Sequence, residues 1–192
     1  MKKYRLTKSK FILGQQCIKA LYLDVYNPRL AYYPPETLAR FHKGREFEQC
    51  VKNTFIGGVD ISKALGNNIN KYPELTASLL EQHEEITLFE AGFVHNEVLV
   101  LADVVRKSAD GTVSVFEIKN SDSVKDVFKR DVCIQHYVIN NCIDNLGSFC
   151  VIYNGGEKGT LFEELLPEAR EAESMIAKQV EDFKDVCKAW NQ

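Results

Sequence analysis

Long apolar runs are missing from this sequence. No stretch approaches the roughly 20 apolar residues that a membrane-spanning helix needs. The first ten residues also lack the apolar centre and small-residue cleavage site of a secretory signal, so we expect a cytoplasmic location. The six cysteines form no C-x-x-C pair, which argues against a zinc knuckle or a disulfide framework and predicts reduced, mainly buried thiols.

Familiar catalytic and phosphate-binding motifs are missing as well. His83, His95 and His136 show neither an H-x-x-x-H nor a His-Asp-Ser spacing, and we assign them no role. His42 lies four residues before an acid, a spacing typical of a solvated helical pair. The glycines of segment 155–159 lack the G-x-x-x-x-G-K-[ST] order of a phosphate loop, so a plain turn is expected.

Length and charge limit the remaining possibilities. A chain of 192 residues with 45% hydrophobic residues is long enough for one core, so we expect a single domain over residues 1–192. A net charge of -3 argues against a protein that coats nucleic acid without specificity. The first 23 residues nevertheless carry six basic residues and no acid, enough to steer a phosphate backbone. A solvated charged terminus explains this charge equally well.

Hydrophobic periodicity and turn residues predict an α/β fold, a mixed sheet with an antiparallel meander flanked by helices. The parts are an N-terminal helical segment (1–83), a sheet core (86–153) and a C-terminal helix (167–190). In the first part, helices are expected from a cap at Thr7 or Ser9 to about Leu23, over about 35–55, and over 73–83. In the sheet core, strands are expected at about 86–94, 97–106, 112–119 and 148–153, with a helix over about 124–145.

Three ionisable residues stand where aliphatic side chains are expected. Asp103, Glu117 and Lys119 lie on two consecutive strands that are apolar on both faces. Glu117 and Lys119 leave the same face with Cα atoms about 6.6 Å apart, and a hairpin can return Asp103 beside Glu117. Burying unpartnered charge costs several kcal/mol, so these groups must meet each other, a metal ion, or both. Adjacent carboxylates with oxygen-only ligation suit Mg²⁺ or Mn²⁺.

Helix periodicity adds two polar residues to this set. The second helix has a stripe at steps of three and four: Leu38, Phe41, Gly44, Glu48, Val51 and Phe55. Glu48 interrupts that stripe, and Gly44 predicts a close approach of the helix to the strands. The helix after Lys119 has a similar stripe: Phe128, Asp131, Gln135, Val138 and Cys142. Gln135 interrupts it, which predicts a site shared by both helices and the strands. Taken singly, an acid in a strand is more often half of a structural ion pair than a metal ligand.

These residues resemble a known family. Ala102-Asp103, followed after 13 residues by Glu117-Ile-Lys119, resembles the signature of the PD-(D/E)xK, restriction-endonuclease-like nucleases. Gly44-Arg-Glu-Phe-Glu48 is similar to the helical G-x-x-x-(H/E) motif of the RecB-type branch, and Gln135 matches the start of its Q-x-x-x-Y motif. Residues 6–23 are similar to the opening of CRISPR-associated RecB-like exonucleases, and residues 117–126 resemble a related uncharacterised bacterial family.

The resemblance implies a restriction-endonuclease-like core and a Mg²⁺- or Mn²⁺-dependent nuclease that cuts DNA, exonuclease-like or end-processing. Implied catalytic residues are Glu48, Asp103, Glu117, Lys119 and Gln135. Implied metal ligands are Glu48, Asp103, Glu117 and the carbonyl of Ile118, and the residues expected to bind DNA are Lys8, Lys10, Lys125 and Tyr137.

The sequence departs from the CRISPR-associated relatives in its cysteines. Those relatives pair an early cysteine with three near the C-terminus around an iron–sulfur cluster, whereas here only Cys17 and Cys187 match, so no cluster is expected. Two other hypotheses stay open: a module of nuclease fold that binds nucleic acid or a partner protein without cutting, and a structural, homo-oligomeric scaffold with a core ion pair between Asp103 and Lys119.

Overall fold

A mixed sheet forms the centre of the molecule. The computed structural model describes residues 6–188, and the sheet has seven strands within that range. They are β1 (Leu6–Thr7), β2 (Val59–Asp60), β3 (Ile86–His95), β4 (Val98–Lys107), β5 (Val113–Lys119), β6 (Leu146–Asn154) and β7 (Thr160–Glu164). Their order is β2-β3-β4-β5-β6-β7, and β1 pairs with β4.

Eight α-helices flank the sheet in the described part of the chain. They are α1 (Lys8–Gln16), α2 (Ile18–Tyr26), α3 (Pro35–Lys52), α4 (Ile61–Leu65), α5 (Tyr72–Gln82), α6 (Asp126–Asn140), α7 (Leu166–Glu171) and α8 (Glu173–Lys188). Short 3-10 helices occur at Pro28–Leu30, Ile69–Lys71 and Gly156–Lys158. None of the helices in residues 6–188 combines the length and apolar character needed to cross a bilayer.

The predicted α/β class and the antiparallel meander are confirmed. β3, β4 and β5 pair antiparallel in sequence. The first hairpin turns through Asn96 and Glu97, both with positive φ, and the second through Gly111 at φ 80°. Such φ values are typical of tight hairpin turns. β5 and β6 are parallel, and α6 provides the crossover that parallel neighbours require.

Several predicted boundaries were wrong. The first helix is two helices, because Cys17 adopts an extended backbone (φ -163°, ψ 114°) between α1 and α2. The last helix is also two, and α6 ends at Asn140 rather than near residue 145. The strands β1, β2 and β7 were not predicted, since two-residue strands and a half-exposed edge strand have little hydrophobic periodicity. Residues 1–5 of the predicted N-terminal segment and 189–190 of the predicted last helix lie outside the described residues.

Two apolar clusters fill the space on the sheet. The larger includes buried side chains from α1, α5, α6, α8 and the strands. The smaller lies beneath the end of α3 and consists of Val51, Phe89, Val104, Ile118 and Ile152. The ionisable residues discussed below lie where these clusters meet the central strands.

The prediction that α3 faces the sheet along its whole length was wrong. Leu38 and Phe41 are 53% and 43% exposed, and only the last turn of the helix is buried. Gly44 does not mediate a close approach, because a Cβ built there would meet no atom within 4 Å. The cysteines are also less buried than expected: all six are free, three are exposed and three are partly exposed.

Candidate active site

The candidate site begins where the β4–β5 ladder ends. The last backbone pair is Val104 with Phe116. Beyond this pair, Oδ2 of Asp103 accepts a hydrogen bond from the backbone N–H of Ile118 at 2.7 Å. A side chain therefore replaces the next rung of the ladder and fixes Asp103 beside the end of β5.

The N-terminal residues reach the same place through β1. This strand pairs in parallel with Val98 and Leu99 of β4. Thr7 caps α1, because its Oγ1 accepts the N–H of Lys10 at 3.4 Å. Lys8, the first residue of α1, consequently points its ammonium at Glu117, with Nζ 2.8 Å from Oε1.

Glu117 is the centre of a buried ion-pair network, which we call the Glu117 group. Its side chain is 2% exposed, and its Oε1 accepts from both Lys8 and Lys119, the latter at 2.7 Å. Its Oε2 accepts from Nε2 of Gln135 at 2.7 Å. Lys119 in turn lies 2.6 Å from Oδ2 of Asp131. The three side chains that donate to this carboxylate thus come from α1, β5 and α6.

The two lysines keep Glu117 ionised. Burial alone would raise the pKa of this carboxyl, but the charges of Lys119 and Lys8 outweigh burial and lower the pKa to about 2. Burial opposes the charge of each lysine too, yet the attraction of Glu117 and Asp131 raises the pKa of both ammonium groups. Glu117, Lys8 and Lys119 are therefore all charged at neutral pH.

A second set of acids lies next to the first. One carboxylate oxygen each from Glu48, Glu90 and Asp103 lies within 4.8 Å of the others, and we call these three residues the carboxylate cluster. They come from α3, β3 and β4. Nζ of Lys52, one turn after Glu48, lies 2.5 Å from Oε1 of Glu48 and 2.5 Å from Oε1 of Glu90.

Glu90 occupies an irregular point of β3. The pairing of β3 with β4 passes from Ala91–Ala102 to Phe89–Val104, and the ladder omits the position between them, where Glu90 faces Asp103. Glu90 has φ 54°, a conformation that costs a non-glycine residue about 1–3 kcal/mol. The irregular backbone at this position accompanies the placement of the Glu90 side chain beside Lys52 of α3.

Negative charge is in excess in the carboxylate cluster. Burial, followed by the charge of Glu117, raises the pKa of Asp103 from its ordinary 3.8 to about 8. Burial also raises the pKa of Glu90, although Lys52 opposes that rise. For Lys52, the carboxylates outweigh burial and raise the pKa of the ammonium. Asp103 thus keeps its proton to a higher pH than an ordinary carboxyl group does.

A cleft of about 1140 Å³ borders the site. It is lined by residues of α3, the end of β5 and the start of α6, among them Glu48, Ile118 and Lys119. Its lining also carries four exposed basic residues: Arg40, Lys43, Arg45 and Lys125. A cleft lined by Glu48 and by these basic residues suits a ligand that is itself anionic and is bound through a cation.

The structure brings several of the predicted site residues close together, but they do not form a single cluster. Glu48 and Asp103 share the carboxylate cluster. Glu117 and Lys119 lie beside it, and the Ile118 N–H bonds Asp103. Gln135 has no exposed surface and bonds Glu117 instead of facing the cleft.

The residues predicted to bind nucleic acid are more scattered. Lys125 lines the cleft, whereas Lys8 is engaged by Glu117. Lys10 lies 3.9 Å from Asp24. Tyr137 is only 6% exposed, and its hydroxyl accepts from Asn96 in the β3–β4 turn at 2.9 Å, so it has little surface for a ligand.

Sequence reasoning missed Glu90, Lys52 and the role of Asp131. The signals were present: Glu90 is a lone charge within an apolar strand, as Asp103 is, and Lys52 follows Glu48 by four residues. Asp131 lies one turn before Gln135 on the same helix stripe. None of the three belongs to a motif, which is why the pattern alone did not single them out.

The donor set of the carboxylate cluster fits a hard divalent cation. It offers oxygen atoms only, from three separate elements, with one oxygen of each residue within 4.8 Å of the others. The cluster already accommodates positive charge in the form of the Lys52 ammonium. The three acids offer no sulfur or imidazole donor, which disfavours zinc or an iron–sulfur cluster at this cluster.

Comparison with known proteins finds similarity to solved structures. The chain resembles the solved structure "Crystal structure of SSO0001" with 16% sequence identity, over 91% of this chain and 84% of that chain, at a TM-score of 0.35. No protein-family model and no curated protein matches the sequence. At that identity and TM-score the similarity supports no conclusion about function, which has to be inferred from the geometry of the site.

Proposed function

We propose that this protein is a divalent-cation-dependent nuclease that hydrolyses phosphodiester bonds of DNA, working from or near strand ends. The observation that carries the proposal is a cluster of three carboxylates, of which Glu48 lines a cleft together with Lys119 and four exposed basic residues. Phosphoryl transfer needs charge stabilisation and positioning more than it needs a covalent intermediate, and this arrangement provides both.

Glu48 and Asp103 are the residues we expect to hold the cation. A Mg²⁺ or Mn²⁺ ion held by these residues would supply Lewis-acid chemistry, polarising the scissile phosphate and lowering the pKa of an attacking water. Glu117 accepts N–H groups on both oxygens and therefore acts by holding Lys119 in place. Ile118 lines the cleft, and its N–H keeps Asp103 oriented.

Lys119 stabilises the negative charge that develops on phosphorus or orients the water. Its raised pKa keeps it charged at neutral pH, and its Nζ lies 5.4 Å from the ring centre of Phe128 on the cleft wall. Because Glu117 and Asp131 both bind Lys119, its ammonium has a defined position before substrate arrives. Gln135 supports the same position from beneath Glu117.

The basic wall of the cleft binds the DNA backbone. Arg40, Lys43, Arg45 and Lys125 are exposed and face the same space. Contacts of this kind hold phosphates and carry little sequence information. A nuclease that processes ends without reading sequence requires no more than this.

One observation favours the alternative of a module that binds nucleic acid or a partner protein without cutting. Lys8, Lys52 and Lys119 all bond carboxylates, so the ionisable residues already neutralise much of each other's charge. Such a network can serve stability alone. Cleavage and binding are therefore measured together.

The test incubates linear and circular DNA, each single- and double-stranded, with Mg²⁺ or Mn²⁺. The native protein is compared with Lys119→Ala and with Lys178→Ala, an exposed lysine of α8. We expect degradation of linear DNA, about 10²–10³-fold slower with Lys119→Ala and unchanged with Lys178→Ala. Equal rates for the native protein and Lys119→Ala exclude the lysine from the mechanism. DNA binding without cleavage by the native protein supports the alternative.

A further inference from the structure

Lys52 is a buried ammonium inside the acidic site. Lys52 is 7% exposed, and its Nζ is bonded to both Glu48 and Glu90. The ring centre of Phe89 lies 5.9 Å away on the apolar side. Lysine is seldom buried to this degree unless it is paired, so its placement here depends on these two acids.

The two oxygen atoms bonded to Lys52 belong to residues of the carboxylate cluster. An ammonium bonds carboxylate oxygen at about 2.7–2.9 Å, and Mg²⁺ binds it at about 2.0–2.1 Å. Both ions would need the carboxylates of Glu48 and Glu90. A divalent ion coordinated there cannot coexist with the ammonium in its present position, since two positive centres would lie within a few ångströms of each other.

We propose that Glu90 is a cation ligand and that Lys52 is a tethered competitor, whose ammonium occupies the cluster until a divalent cation displaces it. This inference rests on the cation site of the proposed function. The flexible four-carbon stem of lysine allows the displacement without movement of α3. Lys52 thereby stabilises the cation-free protein and lowers its affinity for the divalent ion.

Neutral substitutions of the two residues should act in opposite directions. Lys52→Met keeps the apolar stem and removes the charge, and it should raise Mn²⁺ affinity by at least about tenfold, because one charge within about 4–6 Å shifts a carboxylate equilibrium by 10-fold or more. Glu90→Gln keeps the size and removes a ligand, and it should lower the affinity by a similar factor.

The experiment titrates Mn²⁺ alone into the full chain by calorimetry, without DNA. Lys184→Met is the matched control, since Lys184 is 4% exposed and bonds Glu181 on α8, in an ion pair outside the cluster. Its Mn²⁺ affinity should equal that of the native protein. An affinity of folded Lys52→Met that is equal to or weaker than the native value overturns the inference, as does an unchanged affinity in Glu90→Gln.

If the Lys52→Met protein does not fold, a second comparison tests the inference. The double variant Lys52→Met with Glu90→Gln removes one charge of each sign and should be compared with Glu90→Gln alone. Tighter Mn²⁺ binding by the double variant supports competition, and equal binding overturns it. If the native protein binds no Mn²⁺ but Lys52→Met does, masking by the lysine is supported.

The outcomes also separate this inference from the proposed function. Expected Mn²⁺ affinities without DNA cleavage by the native protein would reject the nuclease and keep the competition. DNA cleavage together with Mn²⁺ affinities that do not change on substitution of Lys52 or Glu90 would keep the nuclease and reject the competition. Absence of Mn²⁺ binding in every variant rejects both.

Discussion

The carboxylate of Asp103 accepts the backbone N–H of Ile118 at 2.7 Å, so an acid of β4 holds the end of β5 where the backbone ladder has stopped. The same residue contributes an oxygen to the carboxylate cluster. Strand alignment and charge at the site are therefore linked through one side chain, and changes in its ionisation should be measurable as changes in stability.

The stability of the cation-free protein should fall as pH rises from about 4 to about 8. Burial and Glu117 raise the pKa of Asp103 from 3.8 to about 8, so the native state holds a proton in this window that the unfolded chain releases. This contribution is fully present below pH 3.8 and is lost as pH rises through 8, at no more than about 1.4 kcal/mol per pH unit. Urea unfolding in EDTA between pH 5 and 8 measures it. Asp103→Asn should flatten the slope, and an identical slope contradicts the assignment.

Glu117→Gln should destabilise the protein by about 3 kcal/mol at pH 7, because the ammonium groups of Lys8 and Lys119 lose a common buried acceptor. The lowered pKa of Glu117 means that its contribution is present above pH 4.5 and is lost as pH falls through about 2. Denaturant unfolding measures the loss. The matched control is Glu85→Gln, where an exposed pair with Arg106 should contribute less than about 1 kcal/mol.

Lys125→Ala should weaken DNA binding in a salt-dependent way. Lys125 is exposed on the cleft wall, and a phosphate contact there releases a counterion. The slope of log affinity against log salt should become shallower by about 0.7–0.9, measured by fluorescence anisotropy in EDTA so that no cleavage occurs. Lys178→Ala on α8 should leave the slope unchanged. The same slope in both variants contradicts the role given to the cleft.

Two glycine substitutions should have opposite effects on stability. An alanine Cβ at Gly92 would lie 2.6 Å from Cβ of Tyr72 and 3.0 Å from the nitrogen of Pro73, so Gly92→Ala should cost about 1–3 kcal/mol. Gly44 lies within α3 with no atom near its absent side chain, so Gly44→Ala should stabilise by up to about 1 kcal/mol. Thermal and urea unfolding of both variants provide the measurement. Destabilisation by Gly44→Ala would contradict the open surroundings.

The central strands and part of the candidate site could be predicted from the sequence. β3, β4 and β5 are long enough for their apolar pattern to be visible, and charges inside that pattern identified Asp103 and Glu117. Their positions depend on hairpin register, which tight turns determine locally. The burial of Gln135 beside Glu117 similarly follows from the stripe of one helix.

The remaining features depend on contacts that have no local signature. β1 is two residues long, and its pairing with β4 is what brings Lys8 to Glu117. Glu90 depends on an interruption of the β3–β4 ladder, and a single sequence does not indicate where regular pairing will fail. The exposed start of α3 shows the opposite limitation, since its apolar stripe is correct in spacing but only its last turn meets the sheet.

The ion pair between Lys8 and Glu117 joins residues 109 positions apart, and the hydrogen bond from Tyr26 to the carbonyl of Val186 joins residues 160 positions apart. Closing loops of this length carries an entropic cost that is recovered only when most of the chain is in place. A nascent or partly unfolded chain therefore lacks the contact by which Lys8 of α1 reaches Glu117. The Glu117 group is therefore complete only when both ends of the described chain have docked on the sheet, and partly folded intermediates are expected to lack the full candidate site.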